Sequence, residues 1–191
     1  MMDRTPQGCR DAWQQMTEAC ADGPVRNYLQ VLDMRDFVVE TELFPLAALE
    51  AYSAWNTGKE LTTEQHECFN SNRGGAQGDY REGMAEKIAN VVDCLARFPQ
   101  SKRAIITVCN EPMPDHASDA DAKCVRELHL YLDDANRLSG TLTLRAQAAS
   151  LFPKNIHMVG TIMTEIAEQL PGNPDLGTVF YLATLLVPDR S

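Results

Sequence analysis

Between Val125 and Val187 the spacing of apolar residues changes period more than once, and this limits the fold more than any other feature of the chain. Val125–Leu132 places Leu128, Leu130 and Leu132 at every second position, the period of a strand with one buried face. Asp133–Asn136 carries turn residues, and Leu138–Leu144 alternates again, which predicts a hairpin. Lys154–Leu170 switches to the helical period, with Ile156, Val159, Ile162, Met163 and Ile166 facing inward. Thr178–Val187 is a last apolar strand. The expected class is therefore α+β, a mixed sheet with flanking helices, because these faces are buried against one another.

The first half supplies further helices. Pro6–Cys20 reads as a helix with Trp13 and Met16 on one face, ended by Gly23-Pro24. Val25–Glu40 contains two strand-like runs, Tyr28–Asp33 and Asp36–Glu40. Pro45 opens a helix through about Trp55, since proline in the first turn costs no hydrogen bond. Lys59–Gly83 is polar and glycine-rich and reads as a loop. Gly83–Phe98 is an amphipathic helix through Met84, Ile88, Val91, Val92 and Leu95, stopped by Pro99. Arg103–Cys109 reads as a strand and Glu111–Lys123 as a second loop. No repeat or linker divides the chain, so residues 1–191 are expected to form one domain.

Seventeen Lys and Arg against 27 Asp and Glu give a net charge of −10. A chain this acidic is poorly suited to tracking a nucleic-acid backbone, where cations must replace counterions. A few local cations still suffice for a small anion. Six cysteines lie at 9, 20, 68, 94, 109 and 124 without a C-x-x-C pair, so no zinc site is expected. Met1–Trp13 is polar and lacks the apolar core of a secretory signal, which points to a cytoplasmic location with reduced thiols. No apolar run reaches the roughly 20 residues of a membrane span.

Five segments hold the residues suited to chemistry. Ala48-Leu-Glu50-Ala-Tyr-Ser-Ala-Trp55-Asn-Thr-Gly58 places a carboxylate on a helix that leads into an aromatic turn. Gln77-Gly78-Asp79-Tyr80-Arg81 is a glycine turn followed by a cation. Ser101-Lys102-Arg103 sets two adjacent cations at a strand start, where they suit a phosphate or form a solvated pair at a helix end. Lys123-Cys124-Val125-Arg126 puts a thiol between a loop and a strand. Such a cysteine is either a small hydrophobe or, beside Lys123, Arg126 or Arg145, a nucleophile, because a nearby cation favours the thiolate. Leu144-Arg145-Ala-Gln-Ala148 through Phe152-Pro153-Lys-Asn155-Ile ends a strand in arginine and opens a helix. Asn155 is there either a helix cap or an amide able to donate and accept at a ring edge.

In this order, from about Leu43 to Ile166, the five segments resemble the thymidylate synthase and pyrimidine nucleotide hydroxymethylase superfamily. The resemblance implies a thymidylate synthase-like fold and a two-fold homodimer. It also implies covalent addition to C6 of a pyrimidine nucleotide, followed by methyl or hydroxymethyl transfer at C5. On the matching positions, Cys124 is the nucleophile and Glu50 the proton relay. Arg145 binds phosphate and touches the thiolate, and Asn155 reads the pyrimidine O4 and N3 edge. Lys102 and Arg103 bind the partner's substrate phosphate, while Gln77 and Arg81 belong to the substrate-binding segment. Phe69 stands nearest to the family's catalytic-loop tryptophan.

The implied cofactor is methylenetetrahydrofolate, but its binding groups are expected to be lost. Ala148 replaces the family's pterin-anchoring aspartate, and Ala146 replaces a phosphate-binding serine. Leu186-Val187-Pro188 lacks the ribose-binding His-x-Tyr, and with Ser191 last the segment that closes over folate is expected to be absent. Two alternatives follow: a folate-independent, cysteine-dependent step in specialised metabolism, or a non-catalytic homologue serving as a binding subunit.

Overall fold

The computed structural model describes residues 5–68, 79–108 and 123–189. The elements in chain order are β1 (Gln7–Gly8), α1 (Cys9–Ala19), β2 (Val25–Asp33), α2 (Leu46–Asn56), α3 (Thr63–Cys68), α4 (Met84–Arg97), β3 (Ile105–Thr107), β4 (Val125–Leu132), β5 (Leu138–Leu144), β6 (Gln147–Ala148), α5 (Phe152–Gln169) and β7 (Leu176–Val187). The strands form one open, mixed sheet in the order β1-β2-β7-β5-β4-β3, with β6 also on β7. β2 and β7, β4 and β5, and β3 and β4 run antiparallel, whereas β5 and β7 are parallel. That parallel pair is possible because α5 lies between its strands and carries the chain back across the sheet.

Strand alternation divides the sheet into two faces. Rows such as Leu32–Val179–Gly140–Leu130 and Tyr181–Leu142–Leu128–Ile106 run across it and are buried. α5 accounts for much of this burial, since every residue from Phe152 to Gly160 is buried. The helix packs against the sheet through residues such as Phe152, whose ring meets Tyr181 edge-on at 5.8 Å. Its other side faces α2 and α4. Gly160 is required there, because a Cβ would stand 2.2 Å from Phe37 Cγ. The opposite face of the sheet carries the row Val31–Phe180–Thr141–His129–Ile105 and the row Leu29–Leu182–Thr143–Glu127, all half-buried.

One end of the sheet is irregular across several strands. In the β4–β5 ladder Val125 stands opposite Leu144 but Glu127 opposite Thr143, so Arg126 is an extra residue on β4. On β2, Asn27 has φ +54°, a conformation that asparagine tolerates better than most residues. At the same level Thr184 of β7 donates its hydroxyl to the carbonyl of Arg145. Regular pairing therefore fails at one level of the sheet.

Several sequence expectations change. Asp36–Glu40 forms no strand: Asp33 accepts a hydrogen bond from Arg35 N–H at 3.1 Å and ends β2 in a 3-10 turn, Met34–Asp36. Phe37 and Val39 are apolar because Phe37 lies against Gly160 and His157 of α5 and Val39 is buried, not because they pair in the sheet. Part of the Lys59–Gly83 stretch is helical, as α3, where Thr62 Oγ1 accepts from Gln65 N–H and Gln65 Oε1 from Thr62 N–H. The expected strand Arg103–Cys109 is shorter, as β3, with Cys109 outside the described residues. α5 starts at Phe152 with Pro153 in its first turn, which places Asn155 inside the helix and overturns the cap alternative. No helix among the described residues is long and apolar enough to cross a membrane.

Candidate active site

The β4–β5 ladder brings Cys124 and Arg145 together. One step beyond the Val125–Leu144 pair, Arg145 N–H donates to the carbonyl of Cys124 at 2.8 Å. Both side chains then leave the sheet at its irregular end, and Arg145 Nη2 lies 4.0 Å from Cys124 Sγ. The thiol is half-buried, the guanidinium exposed. The guanidinium therefore stands beside a sulfur that is still partly exposed.

Two tyrosines stand near this sulfur. Tyr80 is buried, and its hydroxyl accepts from Val125 N–H at 3.4 Å. Burial pushes its phenol up to about 12, with negative charge on Cys124 adding to the effect. Tyr181 is fully buried on β7 and is raised well above the ordinary tyrosine value, first by burial and then by Cys124. Both are therefore neutral phenols at physiological pH. Tyr80 is fixed from behind by Asn56 of α2, whose Oδ1 accepts Tyr80 N–H at 2.7 Å while Nδ2 donates to Tyr52 O at 2.9 Å.

Asn155 joins the same wall through Gln147. Asn155 Nδ2 donates to Gln147 Oε1 at 3.0 Å, and Tyr181 donates to the same oxygen at 2.9 Å. Deeper along α5, buried Lys154 sets Nζ 4.7 Å from the centre of the Tyr52 ring. One turn on, His157 Nδ1 is 2.7 Å from Ser53 Oγ, and burial pushes its imidazole down to about 4. These contacts tie α5 to α2 and hold both helices against the site.

The other candidates are placed as follows. Arg81 lies over the Trp55 ring at 3.5 Å and pairs with Asp79 through Nε and Nη2, the guanidinium holding that carboxyl below its usual range. Glu50 is exposed on α2, and among the described residues it makes no hydrogen bond or ion pair with the other candidates. Lys102 and Arg103 are exposed on the turn between α4 and β3, lining a shallow concavity with Arg97, Phe98 and Ser101. They sit beside the far end of β4, where Leu132 N–H donates to Pro99 O. With one of the eight residue steps from Cys124 to Leu132 bulged, that end lies roughly 23 Å from Cys124 at about 3.3 Å per residue, so within one protomer the two cations are not part of this site. Gln77 and Phe69 lie outside the described residues.

Sequence reading missed Gln147, Tyr181, Asn56 and Lys154. Gln147 carried a signal: a lone amide in the small-residue run Ala146–Ala149 is a polar group that needs partners if buried. Tyr181 sits in the most apolar strand and announces nothing by itself. No protein-family model matches the chain, and no curated protein matches it.

Proposed function

We propose that the chain is a thymidylate synthase-like enzyme that uses Cys124 for covalent addition to C6 of a pyrimidine nucleotide or a related heterocycle. The observation that carries this reading is the Cys124–Arg145 pair, joined through backbone and side chain, in one wall with the fixed amide of Asn155. The thiolate attacks C6, the ring electrons move to O4 as an enolate, and C5 becomes nucleophilic. Arg145 holds the thiolate and an anionic group of the substrate. Asn155 meets the ring edge, and Glu50 keeps the proton-relay role that the resemblance gives it.

Lys102 and Arg103 act from the partner subunit in this reading. Their distance from Cys124 in one protomer and the half-buried apolar row Val31–Phe180 on the outer sheet face both favour a two-fold homodimer through that face.

The residues present do not fit the implied methylenetetrahydrofolate. Ala148 offers only a methyl group where a carboxylate is needed, and its carbonyl accepts from Gln147 Nε2 at 2.6 Å. The same observation favours a second reading, a folate-independent reaction of the thiol adduct.

A product screen by mass spectrometry tests both readings, using deoxyuridine and deoxycytidine monophosphates with and without methylenetetrahydrofolate. Turnover lost in Cys124→Ser is expected. Turnover without folate selects the second reading, and binding without turnover points to a non-catalytic subunit. Neither binding nor turnover of any pyrimidine overturns the proposal.

A further inference from the structure

The turn from α4 into β3 concentrates positive charge in an acidic chain. Residues 94–110 hold three cations, Arg97, Lys102 and Arg103, and no Asp or Glu, where the whole chain has 27 acids and 17 cations. Arg97 is accounted for, since it pairs with Asp93 at 2.7 Å and suits the C-terminal end of α4. Lys102 and Arg103 stand beyond that last turn and form no ion pair among the described residues, whereas Arg35, Lys59, Arg81 and Arg137 each do. Beside them Phe98 is 61% exposed, more than Leu43 or Leu46, the other exposed large apolar side chains among the described residues.

The backbone that carries these side chains is fixed. Phe98 N–H donates to Cys94 O at 2.8 Å, and Ser101 N–H to Phe98 O at 3.0 Å. Ser101 Oγ accepts from Arg103 N–H at 3.1 Å. Pro99 O and Ala104 O accept from Leu132 and Leu130 N–H of β4, and His129 Nε2 lies 3.1 Å from Ser101 O. The turn is thus pinned to β4 along its length, and it borders an open concavity of about 580 Å³ lined by Arg97, Phe98, Pro99, Lys102 and Arg103. A ring held on such a turn loses little conformational entropy when a partner covers it. Exposed aromatic and arginine side chains side by side are the composition of an interface anchor.

We propose that this concavity docks an acidic peptide segment of another protein, with an apolar side chain of that segment on Phe98 and Pro99 and its carboxylates on Lys102 and Arg103. Charge complementarity selects the partner, because two uncompensated cations beside an apolar floor match a carboxylate next to an apolar residue. The net charge of −10 repels a long polyanion such as a nucleic acid, whose phosphates extend past the patch. The proposal does not rest on the pyrimidine reading. Where the dimer proposed above forms, the same two cations serve the neighbouring protomer, so the segment competes with the nucleotide for them.

The test follows the anisotropy of a fluorescein-labelled peptide, Glu-Glu-Phe-Glu-Glu-Leu-Glu-Glu, titrated with the full chain. Weak binding, with a Kd of about 10–100 μM, is expected for a patch of this size. It should weaken about tenfold between low salt and about 0.5 M sodium chloride. Phe98→Ser, and Lys102→Gln with Arg103→Gln, should each weaken it about tenfold, and circular dichroism should show both variants folded because all three side chains are exposed. If Phe98→Ser does not fold, the charge variant and a peptide with glutamine in place of every glutamate decide. Absence of binding, equal binding of the glutamine peptide, or binding unchanged in either folded variant overturns the proposal. Equal binding of a thymidine oligonucleotide of the same length makes the patch a general polyanion surface and overturns it as well. Each of these results leaves the pyrimidine reading standing.

Discussion

Strand β4 has candidate residues beside each end, and the two ends are built in opposite ways. At the Cys124 end the backbone of Arg145, the hydroxyl of Tyr80 and the amides of Asn56, Gln147 and Asn155 are all engaged in hydrogen bonds. At the far end Lys102 and Arg103 stand exposed on a turn. The first end holds its geometry before a ligand arrives, so binding there loses little conformational entropy. The second is solvated, and acquires a definite geometry only against an anion or a second subunit. In the proposed reading the contrast separates groups that would orient a ring from groups that would neutralise charge.

The largest expected effect at the ordered end is in stability against pH. Buried His157 is neutral in the folded chain down to about 4, whereas an unfolded histidine protonates near the ordinary 6.5. Between these values the unfolded chain binds the extra proton, so stability is full above about 6.5 and falls as pH drops toward 4. The loss is on the order of 3 kcal/mol. Urea unfolding at pH 7.5 and pH 4 measures it, with His157→Gln flattening that window. An unchanged slope in the variant would separate His157 from the effect.

A somewhat smaller loss is expected for Asn56→Ala. Its removal leaves the buried N–H of Tyr80 without its acceptor, at a cost of about 1–3 kcal/mol. Chemical denaturation measures the cost, and a change under a few tenths would show that the Asn56–Tyr80 tie does not hold the site. The far end should respond in the opposite way. Replacing Lys102 and Arg103 together by alanine should alter monomer stability by no more than about 0.5 kcal/mol. If the proposed dimer forms, its nucleotide affinity should fall about tenfold or more as charge-assisted bonds are lost. A large stability change with unchanged affinity would reverse the comparison.

The smallest effect is one of rank. Iodoacetamide should modify Cys124 before Cys9 and Cys20, because Cys9 is pushed up to about 12 by burial and Cys20 is raised for the same reason. Peptide mapping over time gives the order. Modification of Cys9 first would argue against an accessible thiol beside Arg145.

The legible parts of the fold are those with a strict period. The hairpin of β4 and β5, the helices α4 and α5 and the strand β7 follow directly from alternation and the 3.6-residue repeat. Phe37 and Val39 misled, because burial against a helix gives the same apolar residues as burial in a sheet. In the site, the closeness of Cys124 and Arg145 follows from the hairpin register, which a turn at Asp133–Asn136 nearly fixes. Arg126, which shifts that register by one, carries no local sign of doing so. Gln147, Tyr181 and Asn155 meet through the parallel crossover of α5, a tertiary consequence that no local pattern encodes.

The central claim is that the Cys124 thiolate adds to C6 of a pyrimidine. Addition makes an enolate that takes a proton from solvent at C5; loss of a C5 proton and departure of the thiolate then restore the ring. In deuterium oxide this cycle replaces the C5 hydrogen of a bound pyrimidine nucleotide without any cofactor. Proton magnetic resonance of deoxyuridine and deoxycytidine monophosphates follows the C5–H signal directly. The account predicts that this signal decays with one nucleotide and the wild-type protein and persists with Cys124→Ser. A signal that persists with the wild type, or decays equally with the serine variant, would contradict it.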